Sequence, residues 1–532
     1  MQPVAIALGG GLNLSVPDSR MSAGQCSMLI NYELTTSGRY QRMLGYERVD
    51  GRPAPSGVIA SSLAGYPFAT ADAAIVAIKA AQQTRRQAIQ PVPGAGPVLG
   101  VVWFKGVLYA FRNTADNTAA RMYKATATGW QLVTTPTLSP SGKYEFVEAN
   151  FKGSAGTREL VGVDGVNKAF RFNGTTFTQI TGPITPDMPT HVEVLASQVL
   201  LLSYRGGSFV FSGIGEPTKF SPVDGGGEVA VGSEITGMEM QAENACAILC
   251  RDRTYMLYGS SKANFELKAL ALRAGAIAGT IQTMGQSIYL DDRGLTRLDR
   301  VQQFGNFDSA TISQLIQPVI LSKLQSVRAS SVVRSKNQYR LYFSDTTGIT
   351  MTTLGSEVVG FSELYIGFVP SCSFSGENDT GTGELQFMGA EDGYVYQMEC
   401  GNSHDGAVYS SIAQPAFMSL GDQEQKKRWH KVVLECEAAA KVRASLTMMY
   451  DYGDQSFAAS QRDIEIQGAG SRWDVSNWDD ANWGGSSVAW SDIYIDGVSR
   501  NLSFLLQVTD DYYPPHTLSQ VFIHASPRAR RR

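Results

Sequence analysis

A chain of 532 residues is too long for a single hydrophobic core, which points to two or three domains. Charged residues make up 18%, glycine numbers 54, and the net charge is -4. That balance suits a turn-rich β protein and excludes a general nucleic-acid binder, whose footprint is a large basic excess. Six scattered cysteines without a C-x-x-C pair read as reduced, buried thiols, hence synthesis in a reducing cytoplasm. The opening "MQPVAIALGGG" lacks the basic n-region of a signal peptide, and no apolar run is long enough to span a bilayer, so a soluble protein with no membrane segment is expected.

Residues 1–60 are glycine-punctuated and carry little periodicity, which suggests an extended segment. Residues 61–94 hold the one strong helical signal, "ATADAAIVAIKAAQQTRRQAI" (69–89), with Thr70 as N-cap and Pro91 beyond its end. Its apolar stripe is narrow, with Ile78 at the middle between alanines. Such a helix should lean on something large, either another chain or a platform, with Ile78 as its anchor. A second helix is expected within "SATISQLIQPVILSKL" (309–324), broken by Pro318.

Between 95 and 403, short apolar strands alternate with tight turns. "VVWFKGVLYAF" (101–111) reads as a hairpin around Lys105-Gly106, and Asp164-Gly165 and Asn173-Gly174 mark two more. The units recur roughly every 40–50 residues, the span of a four-stranded propeller blade. The expected fold is mainly β: a β-propeller of six or seven blades, with a pair of β-sandwiches as the alternative. From 404 to 532 the strands lengthen and alternate, as in a separate antiparallel β domain.

Within that last region "RWDVSNWDDANWGG" (472–485) places Trp473, Trp478 and Trp483 at a spacing of five, and Trp490 follows. Five fits neither the helical nor the strand period, so successive Asx turns are expected. The rings are either stacking platforms for sugars or anchors pinning a loop to a sheet or a neighbouring subunit. Catalytic signals are missing: no G-x-S-x-G elbow, no Walker loop, no histidine pair at metal spacing. "ENDTGTGE" (377–384) reads as a hairpin tip rather than a calcium loop. The sequence therefore asks for no enzyme, no cofactor and no metal.

Several stretches together resemble tail nozzle (tail hub, tail tubular) proteins of short-tailed bacteriophages. They are "GGLNLSVPDSRMSAGQCSMLINYELTTSGRYQRMLGYERV" (10–49), "FSGIGEPTKFSP" (211–222), "DRGLTRLDRVQQFGNFDSATISQLIQPVI" (292–320), "WDVSNWDDANW" (473–483) and the terminal "PRARRR". The resemblance implies a homohexameric ring (C6) with a propeller in each subunit and a platform built from both chain ends. It implies a virion tail protein as location, with the tail adaptor or head–tail connector, tail fibres or spikes and the tail needle or tip as partners. Genomic DNA would pass through the lumen without sequence-specific binding. On this reading Trp473, Trp478, Trp483 and Trp490 are anchors where subunits meet. A carbohydrate-binding or carbohydrate-cleaving propeller is the competing expectation.

Overall fold

The computed structural model describes residues 3–154, 156–299, 311–438, 442–453, 460–466 and 488–528. The protein is mainly β, built from many short antiparallel sheets, with one α-helix of 18 residues and one of 7 among the described residues.

Among the described residues, seven groups of consecutive strands follow one another along the chain, the sixth being part of a larger sheet. The first contains Ala95–Phe104, Val107–Asn113, Ala120–Thr126 and Gly129–Leu132, hydrogen-bonded in sequence order. Its opening hairpin turns through Lys105 (φ 48°) and Gly106 (φ 77°), with Phe104 opposite Val107. Two consecutive positive φ angles match the right-handed twist of the flanking strands, as the Lys-Gly pair predicts. The second, third and fourth sheets start at Glu145–Ala149, His191–Leu195 and Ile235–Ala242 and are meanders of the same four-stranded kind. The fifth starts at Gln282–Met284 and has three strands among the described residues. The sixth starts at Val327–Val333 and the seventh at Pro370–Glu377.

The seventh sheet takes its outer strand from far away. Tyr46–Val49 pairs antiparallel with Val395–Met398, so residues expected in an N-terminal segment complete a sheet of the central region. First strands of successive sheets pack side by side from the second sheet to the seventh, and Pro370–Glu377 in turn packs on Ala95–Phe104. Between the first and second sheets, the Tyr144 N–H donates to the Leu99 carbonyl.

Both chain ends enter two larger sheets. In one, Lys427–Glu437 lies between Val488–Ser499 and Thr517–Pro527, and Thr517–Pro527 also pairs with Val4–Ala7 and Tyr40–Arg42. In the other, Gln25–Ile30 pairs with Tyr409–Pro415, followed by Leu502–Asp510, Val442–Tyr450 and Ser460–Ile466. This second sheet is continuous with the sixth through the parallel match of Glu363 and Ile30. The largest apolar core crosses the same boundary, joining Leu29, Tyr32, Leu290 and Tyr339 to Trp429, Leu446 and Val521. Trp429 is fully buried, and its indole N–H donates to Ser499 Oγ at 2.7 Å.

One expectation holds and two need correction in detail. The long helix spans Ala71–Ala88, with Thr70 Oγ1 accepting from the Ala73 N–H as foreseen. The second helix is only Gln317–Lys323, and Pro318 opens it rather than breaking it. Proline is tolerated in a first turn because its missing N–H would find no intrahelical acceptor there. Asp164-Gly165 is not a tight hairpin turn: Gly162 pairs with Phe170, and Asp164 Oδ1 accepts the N–H groups of Val166 and Asn167 within a longer Asx-stabilised loop.

Candidate functional site

The first strands of the sheets line an open cavity of about 800 Å³. Its wall is asymmetric. Glu145, Glu193 and Glu239 come from the second, third and fourth sheets. Gln282, Ser330, Ser373 and Ser375 come from the fifth, sixth and seventh. Strand alternation explains the placement: in a first strand every second residue faces the same way, so one carboxylate per strand suffices to line the cavity.

The acidic side is held by short contacts. Glu145 Oε2 lies 2.8 Å from His191 Nδ1, and Glu145 Oε1 accepts the Val192 N–H at 3.2 Å. Glu193 Oε1 accepts the Val194 N–H at 2.8 Å. Burial pushes Glu193 up to about 8, and the neighbouring Glu239 carboxyl adds to the rise. Burial likewise raises Glu239 to about 7, against the hydrogen bond from Thr283. Both shifts follow from one cause: carboxylates grouped away from water favour the neutral acid. A carboxyl protonated near neutrality can donate a proton or a hydrogen bond. On the opposite wall, Gln282 Nε2 donates to Ser330 Oγ at 3.2 Å. Among the described residues, no group of three histidine, cysteine or acidic side chains is placed to hold a metal. None of this cavity was legible in the sequence, because a glutamate in an alternating strand looks the same whether it faces outward or into a cavity.

The residues singled out in the sequence lie elsewhere. Ile78 is buried within its own chain, where the helix Ala71–Ala88 is fastened by charge as well as by packing. Lys79 Nζ meets Asp511 Oδ1 at 2.6 Å. Arg86, itself buried, stands 3.8 Å from both Glu47 and Asp405. Ile78 and Arg86 are the buried residues of the helix, while Val76 is 67% exposed. Trp490 lies on the outer face of the edge strand Val488–Ser499 and is 60% exposed. It stacks on Phe522 with ring centroids 5.2 Å apart and planes 18° from parallel. Trp473, Trp478 and Trp483 lie outside the described residues.

The "ENDTGTGE" stretch is a hairpin tip in which Glu377 pairs with Glu384 and Asn378 Oδ1 accepts the Thr382 N–H at 2.9 Å. Its Asp379 is bound by Arg158 at 2.9 Å, and Glu384 accepts the backbone N–H groups of Arg334 and Ser335.

No family model matches this chain, and no curated protein matches it. Among solved structures, the crystal structure of the computationally designed Ika8 protein aligns with 58% of this chain and 98% of its own, at 9% identity and a TM-score of 0.34. A likeness at that score carries no argument about architecture or function.

Proposed function

We propose that this chain is a structural tail protein of a short-tailed bacteriophage, a ring-forming nozzle that extends the tail channel below the adaptor and conducts DNA during ejection. In this reading the seven consecutive sheets are the blades of a propeller, with Tyr46–Val49 completing the seventh blade, and the two terminal sheets are the platform. The observation that carries it is the joint pairing of both chain ends in those terminal sheets, beside a succession of small antiparallel sheets. This is the division of labour that the sequence resemblance implies. The near-neutral charge supports the same reading, because a strongly basic lumen would hold DNA through counterion release. The nozzle is a homohexamer located in the virion tail and works without catalysis. Its partners are the adaptor, the tail fibres or spikes and the needle. The test is electron microscopy of the purified chain and of chain-decorated tails: closed rings are expected, and a single copy per assembled tail would overturn the reading.

A second reading has one specific observation in its favour. Three carboxyl groups line one cavity, as a carbohydrate-binding or carbohydrate-cleaving propeller would require. Glycan-dependent stabilisation of the chain, abolished in Glu239→Gln, would favour this reading over the nozzle.

A further inference from the structure

Several carboxylates that this chain shields from water are met by cations. Glu33, Glu47, Asp50 and Asp291 have side chains at most 4% exposed, and each has a lysine or arginine nitrogen at 3.8 Å or less. The acidic wall of the cavity departs from this pattern. Glu193 and Glu239 lie on His191–Leu195 and Ile235–Ala242, strands that pack side by side. Their partners are neutral, the Val194 N–H at 2.8 Å and the Thr283 hydroxyl. Glu145 beside them has only His191 as a basic partner, at 2.8 Å.

The cations of the lining are engaged elsewhere. Lys143 donates to the Arg328 carbonyl at 3.5 Å, and Arg251 is held by Asp292. Leu201 and Ala247 are the register partners of Glu193 and Glu239, and Arg205 and Arg251 stand four residues beyond them, about 13 Å along the strand direction. Arg334, the cation nearest Glu239, turns its guanidinium to the Ser375 carbonyl at 3.4 Å. Arg158 meets Glu148 at 3.1 Å.

The opposite wall offers lone pairs rather than protons. Ser330 Oγ donates to the Gly279 carbonyl at 3.0 Å, Ser373 Oγ to the Ser330 carbonyl at 2.7 Å, and Ser375 Oγ to the Val332 carbonyl. A hydroxyl has one proton and two lone pairs, so hydroxyls committed in this way present acceptors to the cavity. Gln282 Nε2 likewise spends its donors on Ser330. Carboxylates without a cation on one side and spent donors on the other suit a ligand that only donates. An ammonium group has three donors and no acceptor. A neutral sugar, which needs donors as well as acceptors, suits this lining less well.

We propose that the cavity binds a small organic cation with primary ammonium groups, a linear diamine or polyamine, whose charge Glu193 and Glu239 neutralise. The volume of about 800 Å³ suits an extended molecule rather than a bare ion, and among the described residues no group of three side chains is placed to hold a metal. Binding favours the ionised carboxyls, so each carboxyl that enters the site protonated gives its proton to the buffer as the ammonium arrives. This assignment rests on neither the ring reading nor the sugar reading.

The experiment is calorimetric titration of the full chain with putrescine and spermidine between pH 6 and 8, in buffers of different ionisation heat. Proton release is expected, with affinity rising about tenfold per pH unit where one proton is linked to binding. The bis-quaternary analogue of putrescine carries the same charge without N–H donors and should bind at least about tenfold more weakly. Glu193→Gln and Glu239→Gln imitate the neutral acid in shape. Each should weaken diamine binding at least about tenfold and reduce proton release, whereas Glu357→Gln, outside the lining, should change neither. No binding of either amine at millimolar concentration would overturn the proposal. Equal binding of the quaternary analogue, or unchanged binding in both glutamine variants, would do the same. A melting shift with glycans but none with amines would overturn it in favour of the sugar reading, and ring formation enters none of these measurements.

Discussion

Arg340 and Glu33 meet 3.0 Å apart with both side chains shut off from water. Arg340 belongs to the sixth sheet and Glu33 to the N-terminal strand Tyr32–Leu34, so this pair locks the start of the chain onto the central region. Lys336 and Glu399 complete the network, with Lys336 Nζ 2.6 Å from Glu33. Removing one partner of a buried pair leaves an uncompensated charge. Arg340→Met should therefore destabilise the chain by about 3–5 kcal/mol in urea unfolding. Lys336→Met, at a site still a quarter exposed, should cost clearly less. Equal losses would show that the network acts as a unit rather than through the arginine.

The buried titratable groups set the shape of stability against pH. Burial and Arg42 hold His404 and His516 down at about 3, against 6.5 in an open chain. Although burial opposes it, Arg340 and Lys336 hold Glu399 at about 2, against 4.5. Below pH 4.5 the unfolded chain takes up all three protons first, so stability should fall steeply on acidification. Glu193 and Glu239, raised to about 8 and about 7, act in the opposite sense: the folded chain keeps their protons while the unfolded chain releases them above 4.5. Between about pH 4.5 and 6.5 the two histidines and two glutamates oppose one another, giving a plateau. From 6.5 to 8 only the glutamates still contribute, and stability should decline. Denaturant midpoints measured across this range check the profile, and Glu193→Gln should flatten its alkaline limb.

The helical insertion should detach before the rest unfolds. Ile78→Ala truncates the buried apolar side chain of this helix, and large-to-small changes at buried sites cost about 2–5 kcal/mol. Loss confined to the insertion is expected, read as protease cleavage between residues 55 and 90 at temperatures where the remaining sheets stay intact. A lowered main melting transition without early cleavage would contradict this.

The thiols give a simple count. Cys26, Cys246, Cys250, Cys372 and Cys436 are buried, and Cys400 is partly exposed with Glu47 at 3.6 Å and Ser56 at 3.4 Å. Burial pushes Cys400 up to about 11 and Cys372 to the same value, so thiolate is scarce at neutral pH. A thiol reagent should label at most one site in the native chain, slowly, and six after denaturation. Rapid labelling of two or more native thiols would contradict the burial.

What the sequence determined by itself is local. Lys105-Gly106 specifies its hairpin because only residues that accept positive φ allow that turn, and Thr70 caps its helix because its hydroxyl reaches an N–H three residues on. Alternation fixed the long terminal strands, and the shortage of charge matched a mainly β chain. The tertiary structure alone decided everything that depends on distant pairing. Tyr46–Val49 could not announce its place beside Val395–Met398, since a strand's sequence encodes which face is buried but not which edge it will join. The cavity carboxylates were invisible for the same reason: Glu145, Glu193 and Glu239 are far apart in the chain, and only the packing of successive first strands brings them to one cavity. Nor could the sequence of the helix name its fastenings, since Glu47, Asp405 and Asp511 reach Arg86 and Lys79 from three remote segments.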